Sequence, residues 1–214
     1  MFVLENVWFK NILRVEHLRI PAGEITAIVG ESGSGKTTLL RHLNLLTSPD
    51  RGTVRYRGED LCTLDPVTLR RQVVMLPQAP PVFPGTVREN LLIGRRFSGQ
   101  PPLADESLKQ ALEQFRLYKA LDGPTEHLSG GEKQRLALAR VVLMSPEVLL
   151  LDEPSANLDE ETADLVVGTL VHQVRESGRT LVMVTHSRSI AERYADNLVE
   201  MNNGNLLRSL EHRV

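Results

Sequence analysis

The 214-residue chain has few of the features that anchor a protein in a membrane, export it or cross-link it. Its single cysteine, Cys62, cannot form an internal disulfide, and nothing near it has metal-ligand spacing. No apolar stretch approaches the roughly 20 residues that span a bilayer. The first residues, Met1–Asn6, lack the basic opening and the long apolar run of an export signal. We therefore expect a cytoplasmic protein whose membrane association needs a partner.

Neither sign of charge is in excess, and aromatic residues make up only 4% of the chain. The 25 basic and 27 acidic residues leave a formal net charge of -2. A chain without a strong positive field is a poor ligand for nucleic acid, so we expect no nucleic-acid partner. The hydrophobic content of 41% is enough for one domain that buries about 70% of the surface of the unfolded chain.

One glycine-rich stretch has the spacing of a phosphate-binding loop. An apolar strand, 25–29, precedes it, and leucines at helical spacing follow it. Glycines let successive backbone amides converge on one anion at the positive end of the next helix. Lys36 would reach the outer phosphates, and the Thr37 hydroxyl would bind Mg²⁺. The alternative, a plain glycine-rich turn, does not explain the strand and helix around it. The predicted nucleotide-binding residues here are Gly30, Glu31, Ser32, Gly33, Ser34, Gly35, Lys36, Thr37 and Thr38.

Strand and helix patterns alternate along the rest of the chain, which predicts an α/β fold with a mostly parallel sheet and helices on both faces. Short alternating strands near the N-terminus add a small antiparallel part. Residues 80–128 have helical spacing and no strand pattern, so they form an inserted helical subdomain within one domain, 1–214, whose core is 1–79 and 129–214. Strands are predicted at 2–8, 13–20, 53–56, 73–76, 148–151 and 180–184, and a hairpin at 197–206. Helices are predicted at 86–94, 103–117, 131–144, 160–176 and 187–194, with Thr86 and Asp105 as caps. Residues 207–214 are expected to form a loose end.

An acid pair, Asp152 and Glu153, ends the buried strand at 148–151, where α/β sheets present their ligand-binding edge. We expect Asp152 to orient the magnesium shell beside Thr37. Glu153 would then align the attacking water or accept its proton. An acidic helix cap is the alternative interpretation of this pair.

Two further polar residues follow predicted strands. His186 comes after 180–184, and an imidazole there could donate to a phosphate oxygen that gains charge in the transition state. Gln78 follows 73–76, and its amide could bridge metal and water. The catalytic prediction is therefore Glu153, His186 and Gln78, and the metal prediction is Thr37, Gln78 and Asp152.

A second anion-binding end is predicted at 128–135, where Ser129, Gly130 and Gly131 open a helix with unpaired amides. One chain rarely needs two such ends for a single triphosphate. The second end is therefore expected to grip nucleotide held by another copy of the chain.

The chain resembles the ATP-binding subunit of an ABC transporter over nearly its whole length, from about Leu4 to Leu207. The motifs occur in the family's order. They are Gly30–Thr38 (Walker A), Gln78 (Q-loop), Leu128–Arg135 (signature), Val148–Pro154 (Walker B), Ser155–Asp159 (D-loop) and His186 (switch histidine).

This resemblance implies a P-loop NTPase fold of the RecA type and a Mg²⁺-dependent ATPase. It implies a head-to-tail dimer that closes over two Mg-ATP molecules, each held between Walker A of one copy and the signature of the other. It also implies a separate membrane permease that contacts the 80–128 region and holds the protein on the cytoplasmic face of the membrane. Transported substrate and direction reside in that permease.

The family usually stacks adenine on an aromatic residue after its first strand, but the aligned position here is Asn11. Phe9, or Trp8, is expected to make this contact instead, unless adenine is held loosely. The segment 81–91 resembles both exporter subunits and a compact group linked to metal-ion or iron export.

Two other functions stay open at the level of sequence. A soluble ABC-type ATPase could drive assembly or nucleic-acid remodelling, although the chain is too short for a long coiled-coil insertion and has one nucleotide domain. A small-molecule kinase could use the same loop, but it would need an acceptor pocket and no signature motif.

Overall fold

One ten-stranded sheet runs through the protein, which the computed structural model describes over residues 1–211. The strands are β1 (Phe2–Phe9), β2 (Leu13–Ile20), β3 (Ile25–Gly30), β4 (Arg51–Tyr56), β5 (Glu59–Asp60), β6 (Val73–Leu76), β7 (Val148–Asp152), β8 (Thr180–Val184), β9 (Asn197–Asn202) and β10 (Asn205–Glu211). The helices are α1 (Lys36–Leu43), α2 (Pro66–Gln72), α3 (Val87–Phe97), α4 (Asp105–Gln114), α5 (Gly130–Leu143), α6 (Glu160–Glu176) and α7 (Arg188–Tyr194), with a 3-10 turn at Leu61–Thr63.

The sheet has a parallel half and a largely antiparallel half. Its strand order is β5-β4-β1-β2-β10-β9-β3-β8-β7-β6. From β9 to β6 the neighbouring strands are parallel, whereas β1 pairs antiparallel with both β2 and β4. Crossover connections through helices are what allow consecutive strands to run parallel. The predicted alternation of strands and helices along the chain therefore corresponds to the parallel half of the sheet.

Strand β3 is buried on both faces, which explains its continuous apolar sequence. Ile25, Ala27 and Val29 pack in the core that includes residues of α5 and α6. Ile28 points to the other core, which includes residues of α1 and β1. Because side chains alternate along a strand, one run of residues serves both layers.

Most of the helices begin at a residue whose side chain caps the first turn, and one of the two predicted caps is wrong. The Thr86 hydroxyl accepts from the Glu89 amide at the start of α3, as predicted. Asp105, however, is the first residue of α4 and not its cap, which is Ala104. The Asp105 carboxylate instead accepts from the Arg88 guanidinium. The Asp105 carboxylate thus bonds to Arg88, and no side chain caps the start of α4.

Two other segments differ from the prediction. Helix α2 was not predicted, although Asp65 accepts from the Thr68 amide and Pro66 occupies the first turn, which is a common helix start. The predicted hairpin at 197–206 is present as β9 and β10. The predicted loose end is wrong for 207–211, which belong to β10, and its last residues, 212–214, lie outside the described residues.

Residues 80–128 contain α3 and α4, which both contact α5. The guanidinium of Arg140 on α5 is buried and donates to the carbonyls of Pro81 and Asn90 at 2.8 and 2.7 Å. This side chain therefore ties the segment after Gln78 to α5. Among the helices of residues 1–211, none has the length and apolar character needed to cross a membrane.

The imidazole of His42 is fully buried beneath the β1–β2 turn. Its Nδ1 lies 2.9 Å from the Thr47 carbonyl oxygen, and the Phe9 ring meets it edge-on at 5.0 Å. Its Nε2 has no hydrogen-bond partner. Burial lowers the pKa of His42, because a second proton would place an unpaired charge in the core.

This buried histidine predicts an acid-sensitive fold. The pKa of His42 is lower in the folded than in the unfolded state, so the unfolded chain binds a proton first as the pH falls below about 6.5. The contribution of neutral His42 to the free energy of unfolding is therefore fully present above that pH and is lost progressively as the pH falls below it. His42→Gln should flatten the pH dependence of unfolding between pH 7 and 5 by up to about 1.4 kcal/mol per pH unit. Urea unfolding at several pH values measures this slope.

The matched control is His17→Gln, because His17 is exposed on β2. It should leave the slope as in the parent. Equal slopes for parent and His42→Gln would show that His42 does not govern acid sensitivity.

Candidate functional site

A cavity of about 370 Å³ lies at the carboxyl ends of the parallel strands. The phosphate loop forms one wall, and residues at the ends of β6, β7 and β8 or just after them form the other. Its lining residues are Ile12, Ser32, Gly33, Ser34, Gly35, Lys36, Thr37, Thr38, Gln78, Asp152, Glu153, Val184 and His186. The topology thus gathers most of the predicted catalytic, metal and phosphate residues in one place.

The phosphate loop is held closely against β9. A Cβ atom at Gly30 would lie 2.2 Å from the Met201 carbonyl oxygen, so only glycine fits there. The Ser34 side chain is buried, and its Oγ has no hydrogen-bond partner. Gly35 has a φ of 95° and caps α1. The loop therefore turns its backbone back on itself just before the first amides of α1, as anion binding requires.

Lys36 folds back over the phosphate loop. Its Nζ donates to the carbonyl oxygens of Gly30 and Glu31, both at 2.7 Å. The residue is only 8% exposed. These neutral carbonyl oxygens therefore fix the ammonium at the cavity wall, and they do not neutralise its charge.

Thr37 and Asp152 meet across the floor of the cavity. The Thr37 hydroxyl donates to Asp152 Oδ1 at 3.0 Å. Burial raises the pKa of Asp152, and the Thr37 hydrogen bond opposes this shift. One hydroxyl and one carboxylate oxygen fit Mg²⁺, which uses one or two carboxylates and completes its shell with water and substrate phosphates. Over residues 1–211 no group of three or more Asp, Glu, His or Cys side chains is placed to hold a metal ion.

Glu153 and His186 contact each other directly, which the sequence did not predict. Glu153 Oε2 accepts from the His186 backbone amide at 3.2 Å and lies 2.8 Å from the ring Nδ1. The Glu153 side chain is 11% exposed, whereas that of His186 is 74% exposed. Glu153 has a φ of 51°, an uncommon conformation for a residue with a side chain. Strained backbone of this kind persists where the surroundings enforce it, often at functional sites.

Gln78 follows β6 and lies at the rim of the cavity, where its side chain is exposed. It is thus in the same cavity as Thr37 and Asp152, as the metal prediction requires. The part of the chain that carries it continues to Pro81, which Arg140 holds.

The residues at the start of α5 lie elsewhere. None of Ser129, Gly130 and Gly131 lines the cavity of its own chain. Ser129 Oγ accepts from the Glu132 amide, and Glu132 accepts from the Ser129 amide, so the helix start is firmly fixed. Ser129 and Gly130 are exposed. This helix start therefore lies at the surface and outside the cavity that the phosphate loop lines.

The comparisons with known proteins agree with this geometry. The sequence profile of the family described as "ABC transporter" matches residues 13–156, more than half of the chain. The chain belongs to the ABC transporter family. The structure matches a dimeric, post-hydrolysis structure of the ATP-binding cassette MJ0796 bound to ADP and Pi, with a TM-score of 0.89, 27% identity and 100% of both chains covered. The predicted fold class is thereby confirmed.

Two relatives show how far the likeness extends. Protein STAR1 of Oryza sativa subsp. japonica is 42% identical over 188 residues, which are 87% of this chain and 54% of STAR1. The lipoprotein-releasing system ATP-binding protein LolD of Oleidesulfovibrio alaskensis is 42% identical over 184 residues, which are 82% of this chain and 78% of LolD. The chain thus spans about half the length of the rice relative.

The structure places both aromatic residues predicted to contact adenine, Phe9 and Trp8, outside the lining of the cavity. Phe9 does not line the cavity, because its ring packs against the buried His42. Trp8 stacks on the Arg14 guanidinium at 4.5 Å. The residue of this turn that lines the cavity is Ile12, which is 42% exposed. The sequence signal for Ile12 was an apolar residue in an unusually short turn, and the prediction did not use it.

Proposed function

We propose that this chain binds and hydrolyses ATP and energises transport through a separate membrane permease. The observation that carries the proposal is the convergence on one cavity of a buried lysine, a hydroxyl–carboxylate pair and a carboxylate–imidazole pair. Phosphoryl transfer needs positioning and charge stabilisation more than covalent chemistry, and these groups supply both. Membership of the ABC transporter family supports the same function.

Nucleotide binding is assigned to the phosphate loop, Gly30–Thr38. Its amides and the N-terminus of α1 would hold the phosphates, and Lys36 would add a charge-assisted contact. Thr37, Asp152 and Gln78 would hold Mg²⁺, and bound Mg²⁺ would neutralise charge on the outer phosphates. The buried, unpartnered Ser34 Oγ fits a loop whose polar groups face an anion.

Hydrolysis is assigned to Glu153 and His186. Glu153 accepts a proton from the attacking water while the water oxygen bonds to the terminal phosphorus and the bond from phosphorus to the bridging oxygen breaks. The His186 amide and ring fix the Glu153 carboxylate. The exposed imidazole of His186 also lines the cavity, where it can donate to a terminal phosphate oxygen.

The proposed assembly is a head-to-tail dimer. Its support is the helix start at Ser129–Gly131, where Ser129 and Gly130 are exposed and which lies outside the cavity of its own chain. A second copy can present this end to the nucleotide and complete a site that one chain leaves open. The structurally similar cassette MJ0796 is a dimer in its ADP- and Pi-bound structure.

The permease is proposed to dock on the 80–128 region, which places the chain on the cytoplasmic face of the membrane. This region contains a second cavity of about 680 Å³, with apolar walls that include Phe83, Leu92 and Ile93. Arg88 and Arg96 line it too. Its proximity to Pro81 and Arg140 gives it a direct connection to the segment after Gln78.

The subgroup proposed for this chain is the compact group linked to metal-ion or iron export, whereas the substrate and the direction of transport reside in the permease. Its support is the likeness of the segment 81–91 to that group and to exporter subunits.

Replacing Glu153 tests the hydrolytic role. Glu153→Gln keeps the shape of the side chain but loses the basicity that accepts a proton, so phosphate release should fall at least about 100-fold while ATP still binds. Glu160→Gln is the control, since Glu160 is an exposed carboxylate in the first turn of α6. Phosphate release at the parent rate by Glu153→Gln would remove Glu153 from the mechanism.

Dimerisation tests the shared site. With saturating ATP, Glu153→Gln should accumulate as a dimer in light scattering, because it binds nucleotide without cleaving it. Adding Ser129→Arg should return the particle to a monomer, since a bulky side chain then occupies the phosphate-facing helix end. The matched control adds Ser177→Arg, at the exposed end of α6, and should remain dimeric. A monomer of Glu153→Gln well above ATP saturation contradicts the head-to-tail dimer.

A further inference from the structure

The tip of the β9–β10 hairpin lies against the phosphate loop, although it is distant from it in sequence. Asn203 and Gly204 form this tip, with φ values of 45° and 79°. Two successive residues with positive φ are typical of the type I′ turn that joins two strands through two residues. The hairpin itself therefore accounts for an asparagine–glycine pair here, but not for what the pair contacts.

The central peptide groups of a two-residue turn take no part in pairing the two strands, so they are free for other partners. Here both polar groups of Gly204 are used. Its amide donates to the Ser34 carbonyl oxygen in the phosphate loop at 3.1 Å. Its carbonyl accepts from the Arg14 amide, at the start of β2, at 2.7 Å. One residue thus joins the phosphate loop to the strand that follows the β1–β2 turn.

The three segments meet without space for a side chain. A Cβ atom at Gly204 would lie 2.4 Å from the Ile12 carbonyl oxygen. The same Ile12 oxygen would lie 2.9 Å from a Cβ atom at Gly35. Ile12 therefore fits between two glycines, one in the phosphate loop and one in the hairpin tip. Its side chain lines the nucleotide cavity.

We propose that Gly204 is a positioning residue of the nucleotide site, which fixes the distance between the phosphate loop and the turn that carries Ile12. The inference rests on the proposed ATP-binding function and adds a residue outside the 13–156 region that the family profile matches. Any side chain at 204 must push Ile12 or the hairpin tip away by about half an ångström or more. Binding sites lose affinity when their walls shift by that much.

The chain provides a matched control for backbone strain. Gly58, in the turn between β4 and β5, has a φ of 89°, and a Cβ atom there would meet no atom within 4 Å. Gly204→Ala and Gly58→Ala thus carry the same kind of strain, whereas only the first variant disturbs the nucleotide cavity. Gly58→Ala should lower the melting temperature by about 2–4 °C through strain alone, and Gly204→Ala should lower it by at least as much, because it adds the close contact with Ile12.

The experiment is titration of ATP, with Mg²⁺, into parent, Gly204→Ala and Gly58→Ala chains. We expect Gly204→Ala to raise the ATP dissociation constant at least about fivefold, since small displacements of positioning groups are costly. Gly58→Ala should stay within about twofold of the parent. A second pair, Gly204→Asn and Gly58→Asn, repeats the comparison with a residue that tolerates positive φ, in case the alanine variant does not fold.

Three outcomes overturn the inference. The first is a folded Gly204 variant with the affinity of the parent. The second is an equal loss in the Gly204 and Gly58 variants, because strain alone then explains it. The third is a parent chain that binds no ATP, which contradicts the proposed function and the inference together. The first two leave ATP binding by the parent intact, so the two failures are distinguishable.

Discussion

The nucleotide site depends on one buried positive charge, the ammonium of Lys36. Removing an ammonium from water costs several kcal/mol unless good partners replace the lost hydration. Here the partners are the carbonyl oxygens of Gly30 and Glu31, which are dipoles and carry no net charge. The phosphate loop can offer them only because its glycines let the backbone fold back beside α1. The lysine is thereby positioned for an anion before one arrives, and preorganisation of this kind lowers the cost of binding.

The sheet supplies the other half of the site. Strands β3, β7 and β8 are parallel neighbours, so their carboxyl ends meet at one edge. That edge brings Thr37 to Asp152 and Glu153 to His186, although each pair is far apart in sequence. The antiparallel half has a different role, since the β1–β2 turn and the β9–β10 tip enclose the phosphate loop from the opposite side. The helix start at Ser129–Gly131, in contrast, contributes no residue to the lining of this cavity.

Local patterns were sufficient for most elements and for the phosphate loop. Helix α6 and strand β8 have the predicted bounds, because their apolar spacing is regular and their ends carry clear caps or glycines. Failures arose where distant residues intervene. Asp105 is bonded to Arg88 and does not cap α4, and Phe9 packs on His42 and not beside the cavity. Neither the Glu153–His186 contact nor the approach of Gly204 to Ser34 has a local signal, since both depend on the order of strands in the sheet.

The most direct measurement is calorimetric titration of ATP into the parent and into Lys36→Ala. A hydrogen bond to a charged group contributes about 1.5–3 kcal/mol, so loss of the ammonium should raise the ATP dissociation constant at least about tenfold. Lys109→Ala removes an exposed lysine of the 80–128 region and should bind like the parent. Equal ATP affinity in the parent and Lys36→Ala would contradict the claim that this preplaced charge organises the site.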